Sequence, residues 1–149
     1  MWQKSIAYSY ISYWTAYIKA NFPLVFYISL FNTEPVSKLQ DCIQEAKKHG
    51  IKIEPPDMSK SKFESTIEDK DNMVIRMGLN CVKGIGDKAV EEITPNQPYT
   101  DFHDYFERAG NGAGKGVAEA GIKIGAFESI PLVVDKTFVK DNILQTEKN

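Results

Sequence analysis

The amino-acid sequence predicts a mainly α-helical protein with one small β-hairpin. Apolar residues recur at helical spacing early and late in the chain, and strand-like stretches are confined to its middle. At 149 residues, with 42% hydrophobic and 26% charged residues, the chain can bury a core and has a globular composition. A formal net charge of -2 excludes a globally basic nucleic-acid binder, but it allows a local basic surface.

The first two helices are predicted on either side of a proline. Over residues 5–21 the apolar positions are separated by three and four residues, which is helical periodicity. Ser5 is a suitable N-cap for this helix. Pro23 ends it, because the residue before a proline resists helical geometry, and opens a second, nearly all-apolar helix over 24–31.

The aromatic residues are concentrated in these helices. Ten of the seventeen fall within the first 31 residues, a stretch that contains no acidic residue. We therefore expect two buried helices. The alternatives are a membrane span and a surface on which nucleic-acid bases stack. Lys19, Asn21 and Pro23 interrupt the apolar run and disfavour the span.

A third helix and the hairpin follow. Residues 36–49 place an apolar stripe opposite charged residues, and Gly50 is a typical residue for ending such a helix. Residues 62–68 and 73–79 are predicted to be the two strands of a hairpin, joined by a polar turn at 69–72.

The last helices are predicted over 101–108 and 117–124, with the latter ended by Gly125. Between them, the glycine-rich stretch 110–116 is interpreted as a flexible linker. It superficially resembles a phosphate-binding loop, but Lys115 is not followed by serine or threonine.

Two carboxylates in the predicted hairpin turn are a candidate metal site. Asp69 and Asp71 are one residue apart, which is a spacing that can hold a divalent metal in nucleotidyl transfer. No third carboxylate on a buried strand accompanies them, so we interpret this stretch as the hairpin turn and expect no metal site.

Residues 79–93 match the helix–hairpin–helix pattern, in which two short helices flank a Gly-apolar-Gly bend. The two glycines let the chain turn sharply and bring backbone amides close to a ligand, and the start of the second helix adds unpaired amides. These donors suit a DNA phosphate, and flanking lysines add electrostatic affinity without reading bases.

Individual residues of the pattern have separate expected roles. Ile85 is expected to point inward, and Ala89 to let the two helices pack closely. The predicted DNA-binding residues are Lys83, Gly84, Ile85, Gly86, Asp87 and Lys88. A tight helix–helix turn without a ligand is the alternative.

The order of these motifs resembles that of bacterial DNA polymerase III alpha subunits, the C family of replicative DNA polymerases. The resemblance extends over about residues 2–130, with the spacing kept. The matching motifs include Lys4-Ser5, Ile11-Ser12-Tyr13, Thr15-Ala16-Tyr17, Ile75-Arg76-Met77-Gly78-Leu79, Lys83-Gly84-Ile85-Gly86 and Ile122-Lys123-Ile124-Gly125-Ala126-Phe127.

The resemblance implies an organisation and a role. It implies a helical segment from the end of the polymerase fingers at 1–57, a β-hairpin connector at 58–79, a helix–hairpin–helix module at 80–130, and a tail of unknown structure at 131–149. The family's catalytic aspartates lie in an upstream palm domain, to which nothing here corresponds. The chain therefore resembles part of a nucleotidyltransferase, and we expect no catalytic residue in it.

The implied partners are double-stranded DNA and the remaining polymerase domains, the palm and fingers, with no membrane. No cofactor is expected in this chain, although Mg²⁺ is implied for the whole polymerase. Lys4 and Ser5 match the family's first helix and are candidates for a position near a nucleotide, whereas Ile6 replaces the family's usual histidine. Two cysteines without a CxxC spacing favour a reducing, cytoplasmic location.

Two other functions stay open from the sequence. The chain could be an independent helix–hairpin–helix adaptor in repair or recombination, with its aromatic helices binding a protein. It could also be a structural remnant in which the aromatic helices are an interface without its partner.

Overall fold

The computed structural model describes residues 2–131. These residues form six α-helices and one three-stranded sheet, so the mainly α-helical class is confirmed. Three short 3-10 turns lie at Leu79–Cys81, Thr94–Asn96 and Asn111–Ala113. Apart from Pro131, the predicted tail lies outside the described residues. In chain order the elements are α1 (Trp2–Asn21), α2 (Pro23–Thr33), α3 (Val36–Lys48), β1 (Lys52–Glu54), β2 (Thr66–Asp69), β3 (Val74–Arg76), α4 (Asp87–Ile93), α5 (Phe102–Arg108) and α6 (Lys115–Lys123).

The boundaries of the first three helices follow the sequence signals, with one correction. Pro23 occupies the first turn of α2, and Gly50 follows α3 with a φ of +79°, a left-handed conformation that favours glycine. Because α1 already begins at Trp2, Ser5 lies inside the helix and is not its N-cap. Its carbonyl instead accepts a hydrogen bond from the Ser9 hydroxyl at 2.9 Å.

The expectation of two buried aromatic helices is correct for α2 and wrong for α1. In α2, Tyr27 and Phe31 are buried. No residue of α1 is buried, and Trp2 and Trp14 are 79% and 56% exposed. Among the described residues, α1 packs on α2 and leaves its aromatic side chains uncovered. Helical periodicity reveals that a helix has an apolar face, but it does not reveal what covers that face.

The hairpin is confirmed, but it is shorter than predicted and belongs to a larger sheet. Strands β2 and β3 pair antiparallel, and β1 adds to the other side of β3 in parallel, giving the order β1-β3-β2. The predicted turn is held by Asp69, whose carboxylate accepts bonds from the amides of Asp71 (2.9 Å) and Asn72 (3.1 Å). A hydrogen bond from the Asn72 side chain, together with these two amide bonds, lowers the pKa of Asp69.

Strand β3 ends at Arg76, before the predicted end at residue 79, because the chain turns away from the sheet there. At Gly78 the backbone passes so close to residues 63–65 that a Cβ would lie 2.6 Å from the Ser65 nitrogen. The Gly78 amide donates to the Ser65 hydroxyl at 3.1 Å, and Leu79 then starts a 3-10 turn. The glycine therefore directs the chain out of the sheet and into the helix–hairpin–helix segment.

Arg76 fixes the sheet to the segment after β1. Its side chain is nearly buried and donates to both carboxylate oxygens of Glu68, at 2.8 and 3.0 Å, and to the Pro55 carbonyl at 3.0 Å. A buried guanidinium with such partners is well satisfied, so it ties β3, β2 and the chain after β1 together.

Two clusters of buried apolar residues hold the fold. The first joins α2, α3 and the sheet and includes Tyr27, Leu39 and Ile75. The second extends from Met58 to Ile130 and surrounds the predicted bend. The predicted division of the chain at residues 57 and 79 stays a prediction.

Candidate nucleic-acid interface

The sharp bend of the helix–hairpin–helix motif is formed by Gly84. Its φ of +101° is rarely adopted by residues with a side chain, and a Cβ here would lie 3.3 Å from the Cβ of Ala120 in α6. The amide of Ile85 donates to the Val82 carbonyl at 3.1 Å and closes the turn. The predicted short helix before the bend is a 3-10 turn, Leu79–Cys81, rather than an α-helix.

The bend has an apolar side and a polar side. Ile85 is only 6% exposed and packs in the second cluster with Val82, Ala89 and Val90, as the sequence predicts for Ile85. In contrast, its neighbours on the other side of the bend are exposed: Lys83, Gly84, Gly86, Asp87 and Lys88. The buried isoleucine therefore anchors the bend, while the glycines and lysines face outward.

The outward side presents backbone donors. Gly86 precedes α4, and its carbonyl accepts bonds from the amides of Ala89 (3.0 Å) and Val90 (3.2 Å). Amides in the first turn of a helix have no partner within the helix. Among residues 2–131, no hydrogen-bond acceptor engages the amides of Gly84 or Gly86. These amides are therefore available to a ligand.

The charges at the bend are mixed. Lys83 and Lys88 bring two exposed cations, whereas Asp87 places an exposed carboxylate between them at the start of α4. A phosphate at the bend would gain from the lysines and the amides and would be repelled by this carboxylate. The sequence includes Asp87 in the predicted DNA-binding set, and its place in that set stays a prediction.

The glycine-rich stretch 110–116 forms a second bend, so its interpretation as a flexible linker is wrong. Ala113 is 2% exposed, and its carbonyl accepts a bond from the Tyr105 hydroxyl at 3.2 Å. The Gly112 amide donates to the Glu92 carboxylate at 2.6 Å. Tertiary contacts thus fix a stretch whose composition alone indicates mobility.

This second bend repeats features of the first. Gly114 precedes α6, and its carbonyl accepts from Val117 (3.0 Å) and Ala118 (3.1 Å), as Gly86 does before α4. The predicted last helix therefore begins at Lys115 rather than at residue 117. The signal that sequence reasoning overlooked is the recurrence of Gly-apolar-Gly before a helix, at Gly112–Gly114.

Lys4 and Ser5 lie on α1, and both are exposed. Their position near a nucleotide stays a prediction. Within residues 2–131, no group of three or more His, Cys, Asp or Glu side chains is placed to hold a metal ion. No described helix is both long and apolar enough to span a membrane.

These geometric features agree with a family-level comparison. Residues 50–135, more than half of the chain, match the family model described as a helix-hairpin-helix motif. The chain therefore belongs to the helix–hairpin–helix family.

Comparison with individual curated proteins shows similarity to bacterial DNA polymerases. The chain is 39% identical over 130 residues to a DNA polymerase III subunit alpha of Aquifex aeolicus, covering 83% of this chain and 11% of the relative. It is 33% identical over 128 residues to an error-prone DNA polymerase of Corynebacterium diphtheriae, covering 85% and 12%. It is 32% identical over 155 aligned positions to a DNA polymerase III subunit alpha of Mycobacterium tuberculosis, covering 95% and 13%. The resemblance to bacterial DNA polymerase III alpha subunits is confirmed, and the chain spans only 11–13% of the length of these curated relatives.

Proposed function

We propose that this chain is a duplex DNA-backbone-binding part of a C-family replicative DNA polymerase, with the chemistry of nucleotide addition carried out elsewhere. The observation that carries the proposal is the bend at residues 83–88, where Ile85 is anchored in the core and the exposed Gly84 and Gly86 have amides without an acceptor among residues 2–131. A rigid bend of this kind holds its donors in place before a ligand arrives, which lowers the ordering cost of binding.

The bend favours contact with phosphate rather than with bases. Backbone amides and lysine ammonium groups are typical donors to phosphate oxygens, and such contacts position a protein on DNA without reading sequence. The glycines have no side chains, so a phosphate can approach the backbone closely. Because Asp87 opposes the negative charge of DNA, we expect the isolated chain to bind weakly and with a strong salt dependence.

The second bend is a further candidate contact with duplex DNA, on the DNA strand that the first bend contacts or on the complementary strand. Lys115 follows Gly114 and is exposed, as Asp87 follows Gly86 at the first bend. The exposed Lys115 ammonium lies 4.0 Å from the Glu119 carboxylate, a distance at which a surface ion pair contributes little. Its charge therefore stays available to a phosphate.

The uncovered aromatic face of α1 supports the second part of the proposal, that the remaining polymerase domains, palm and fingers, are partners. A contiguous apolar surface of this kind is typical of an interface. The face carries Trp2, Tyr10, Tyr13 and Tyr17, and each of them is more than 40% exposed. Lys4 and Ser5 on the same helix would then lie near the nucleotide. The free cysteines, Cys42 and Cys81, are compatible with a cytoplasmic location.

The backbone contact is tested by measuring duplex DNA binding as a function of salt. We expect Lys83→Ala combined with Lys88→Ala to reduce the magnitude of the slope of log K against log salt by about 1.8, since each phosphate contact contributes about 0.9. The matched control is Lys38→Ala combined with Lys70→Ala, which removes two exposed lysines away from the bend and should leave the slope unchanged. An equal loss in both double variants would show that only net charge matters and would contradict the assignment of the bend.

The uncovered aromatic face of α1 is tested on the isolated chain. We expect the isolated chain to bind a hydrophobic fluorescent dye through α1, and Tyr10→Ser combined with Tyr13→Ser to reduce the signal. A dye signal that is the same in this double variant and in the unmodified chain would contradict the assignment of α1 as the interface.

A further inference from the structure

A side chain of α4 connects the first bend to the second bend. The first bend ends at Gly86, and α4 then extends for seven residues, which is about 10 Å of helix. Glu92 lies in the last turn of α4, and its carboxylate accepts a hydrogen bond from the amide of Gly112 at 2.6 Å. Gly112 is the first glycine of the second bend. The helix that follows the first bend therefore holds the backbone of the second.

Two glycines of the stretch 110–116 make room for this carboxylate. At Gly112 a Cβ would lie 2.8 Å from Oε1 of Glu92, and a Cβ at Gly110 would also be too close to the carboxylate. At Gly114, in contrast, a Cβ would lie 3.4 Å from the Asn111 carbonyl oxygen and would not meet Glu92. The first two glycines thus keep space for the α4 side chain, whereas the third precedes α6.

The bond from Gly112 to Glu92 specifies a direction, which burial of the bend does not. Ala113 is buried in the second cluster, but burial of an apolar methyl group is non-directional and leaves the orientation of the flanking amides open. A hydrogen bond to an ionised carboxylate is directional and stronger than one between neutral groups. The Tyr105 hydroxyl holds the Ala113 carbonyl from α5, not from the helix of the first bend. Among residues 2–131, the Glu92 bond is the hydrogen bond that joins α4 to the second bend.

We propose that Glu92 is a positioning residue, which holds the second bend in the orientation at which both bends contact one DNA duplex. This inference rests on the proposed function, since it concerns how two backbone contacts are made together. Glu92 acts through Gly112 and, beyond it, through Lys115, the exposed lysine at the start of α6. Holding both contacts in place before DNA arrives lowers the ordering cost of binding.

The charge of Glu92 and its positioning role predict opposite effects on DNA binding. A carboxylate near DNA repels phosphate, so removal of the charge alone should tighten binding. Loss of the bond to Gly112 should instead weaken binding, because the second bend then loses its contact. Glu92→Gln removes the charge and keeps a side-chain oxygen that can accept from the amide. Glu92→Asp keeps the charge, but its side chain is one methylene group too short to reach.

The test measures duplex DNA binding of the full chain as a function of salt, well below the unfolding midpoint of each variant. We expect Glu92→Gln to keep the slope of log K against log salt, and Glu92→Asp to reduce its magnitude by about 0.9, the share of one phosphate contact. Affinity should fall about tenfold in Glu92→Asp and should not fall in Glu92→Gln. The matched controls are Glu91→Gln and Glu91→Asp at the exposed neighbour on α4, and neither should change the slope. Weaker binding by Glu92→Gln than by Glu92→Asp, or equal slopes in all four variants, would overturn the proposal.

Lys115→Ala separates positioning from a general loss of structure. In the unmodified chain and in Glu92→Gln, this change should reduce the magnitude of the slope by about 0.9. In Glu92→Asp it should reduce the slope no further, since the second bend no longer contacts DNA. Equal effects of Lys115→Ala in all three backgrounds, with a slope that still depends on Lys83, would overturn the inference and leave the proposed function. A slope that depends on neither lysine in any background would overturn both.

Discussion

Alanine at Gly84 and alanine at Gly86 should have different consequences, although the two glycines are only two residues apart. At Gly84 the backbone has a φ of +101°, and a Cβ would lie 3.3 Å from the Ala120 side chain. At Gly86 the φ is -97°, and a Cβ would meet nothing within 4 Å. We therefore expect Gly84→Ala to affect stability and Gly86→Ala to affect ligand binding.

The magnitudes follow from these environments. A left-handed alanine costs about 1–2 kcal/mol, and the tight contact with Ala120 brings the expected loss for Gly84→Ala to about 2–3 kcal/mol. At Gly86, the loss of a glycine N-cap is offset by the smaller conformational entropy of the unfolded chain, so the net change in stability should be below about 0.5 kcal/mol. The added methyl group of Gly86→Ala stands where a phosphate would approach, and loss of one charged hydrogen bond of about 1.5 kcal/mol weakens binding about tenfold.

Two measurements on each variant check this reasoning. Thermal unfolding followed by circular dichroism should show a lower midpoint for Gly84→Ala and an unchanged midpoint for Gly86→Ala. Fluorescence anisotropy with a labelled duplex, recorded well below both midpoints, should show the larger loss of affinity for Gly86→Ala. A Gly86→Ala protein that binds DNA as tightly as the unmodified chain would refute the placement of phosphate at the bend.

Three further predictions concern charged side chains. Asp87→Asn should tighten duplex binding in the anisotropy assay, because it removes the carboxylate at the bend; weaker binding would show that this carboxylate orders the site. Arg76→Ala should lower the free energy of unfolding in urea by about 2–3 kcal/mol, because it leaves the Glu68 carboxylate and the Pro55 carbonyl without their donor; a change below about 0.5 kcal/mol would contradict this role of Arg76 in the fold. Hydrogen bonds from Arg108 and Thr100 hold the pKa of Asp104 well below its ordinary value, so its stabilisation is present above about pH 4 and is lost as the pH falls. Thermal midpoints measured between about pH 5 and pH 2 should therefore fall less steeply in Asp104→Asn than in the unmodified chain, and equal slopes would exclude this carboxylate as a source of acid sensitivity.

Local signals were sufficient for the bend and for α3. A helix with an apolar stripe and a glycine after it needs little tertiary information, and α3 ends at Lys48, two residues before Gly50. The orientation of Ile85 was also predictable, because it is the apolar side chain of the Gly-apolar-Gly turn and is stabilised by burial in the adjacent core.

Long-range contacts explain what the sequence did not reveal. The parallel pairing of β1 with β3 joins Ile53 to Ile75 across the hairpin connection, and no local pattern specifies such a partner. The stretch around Ala113 is ordered by Tyr105 and Glu92, which lie 8 and 20 residues away from the groups they bind, whereas its glycines alone indicate flexibility. The exposure of α1 could not be predicted either, because apolar periodicity is the same for a covered and an uncovered face.

Titration of the isotope-labelled chain with duplex DNA, followed through its backbone amide resonances, examines the bend directly. The amides of Gly84 and Gly86 should shift progressively as the complex forms, because they donate to phosphate. Gly50 and Gly125, which also adopt left-handed conformations but lie elsewhere, should not shift. Formation of the complex without a change at Gly84 and Gly86 would contradict the assignment of this bend as the DNA-backbone contact.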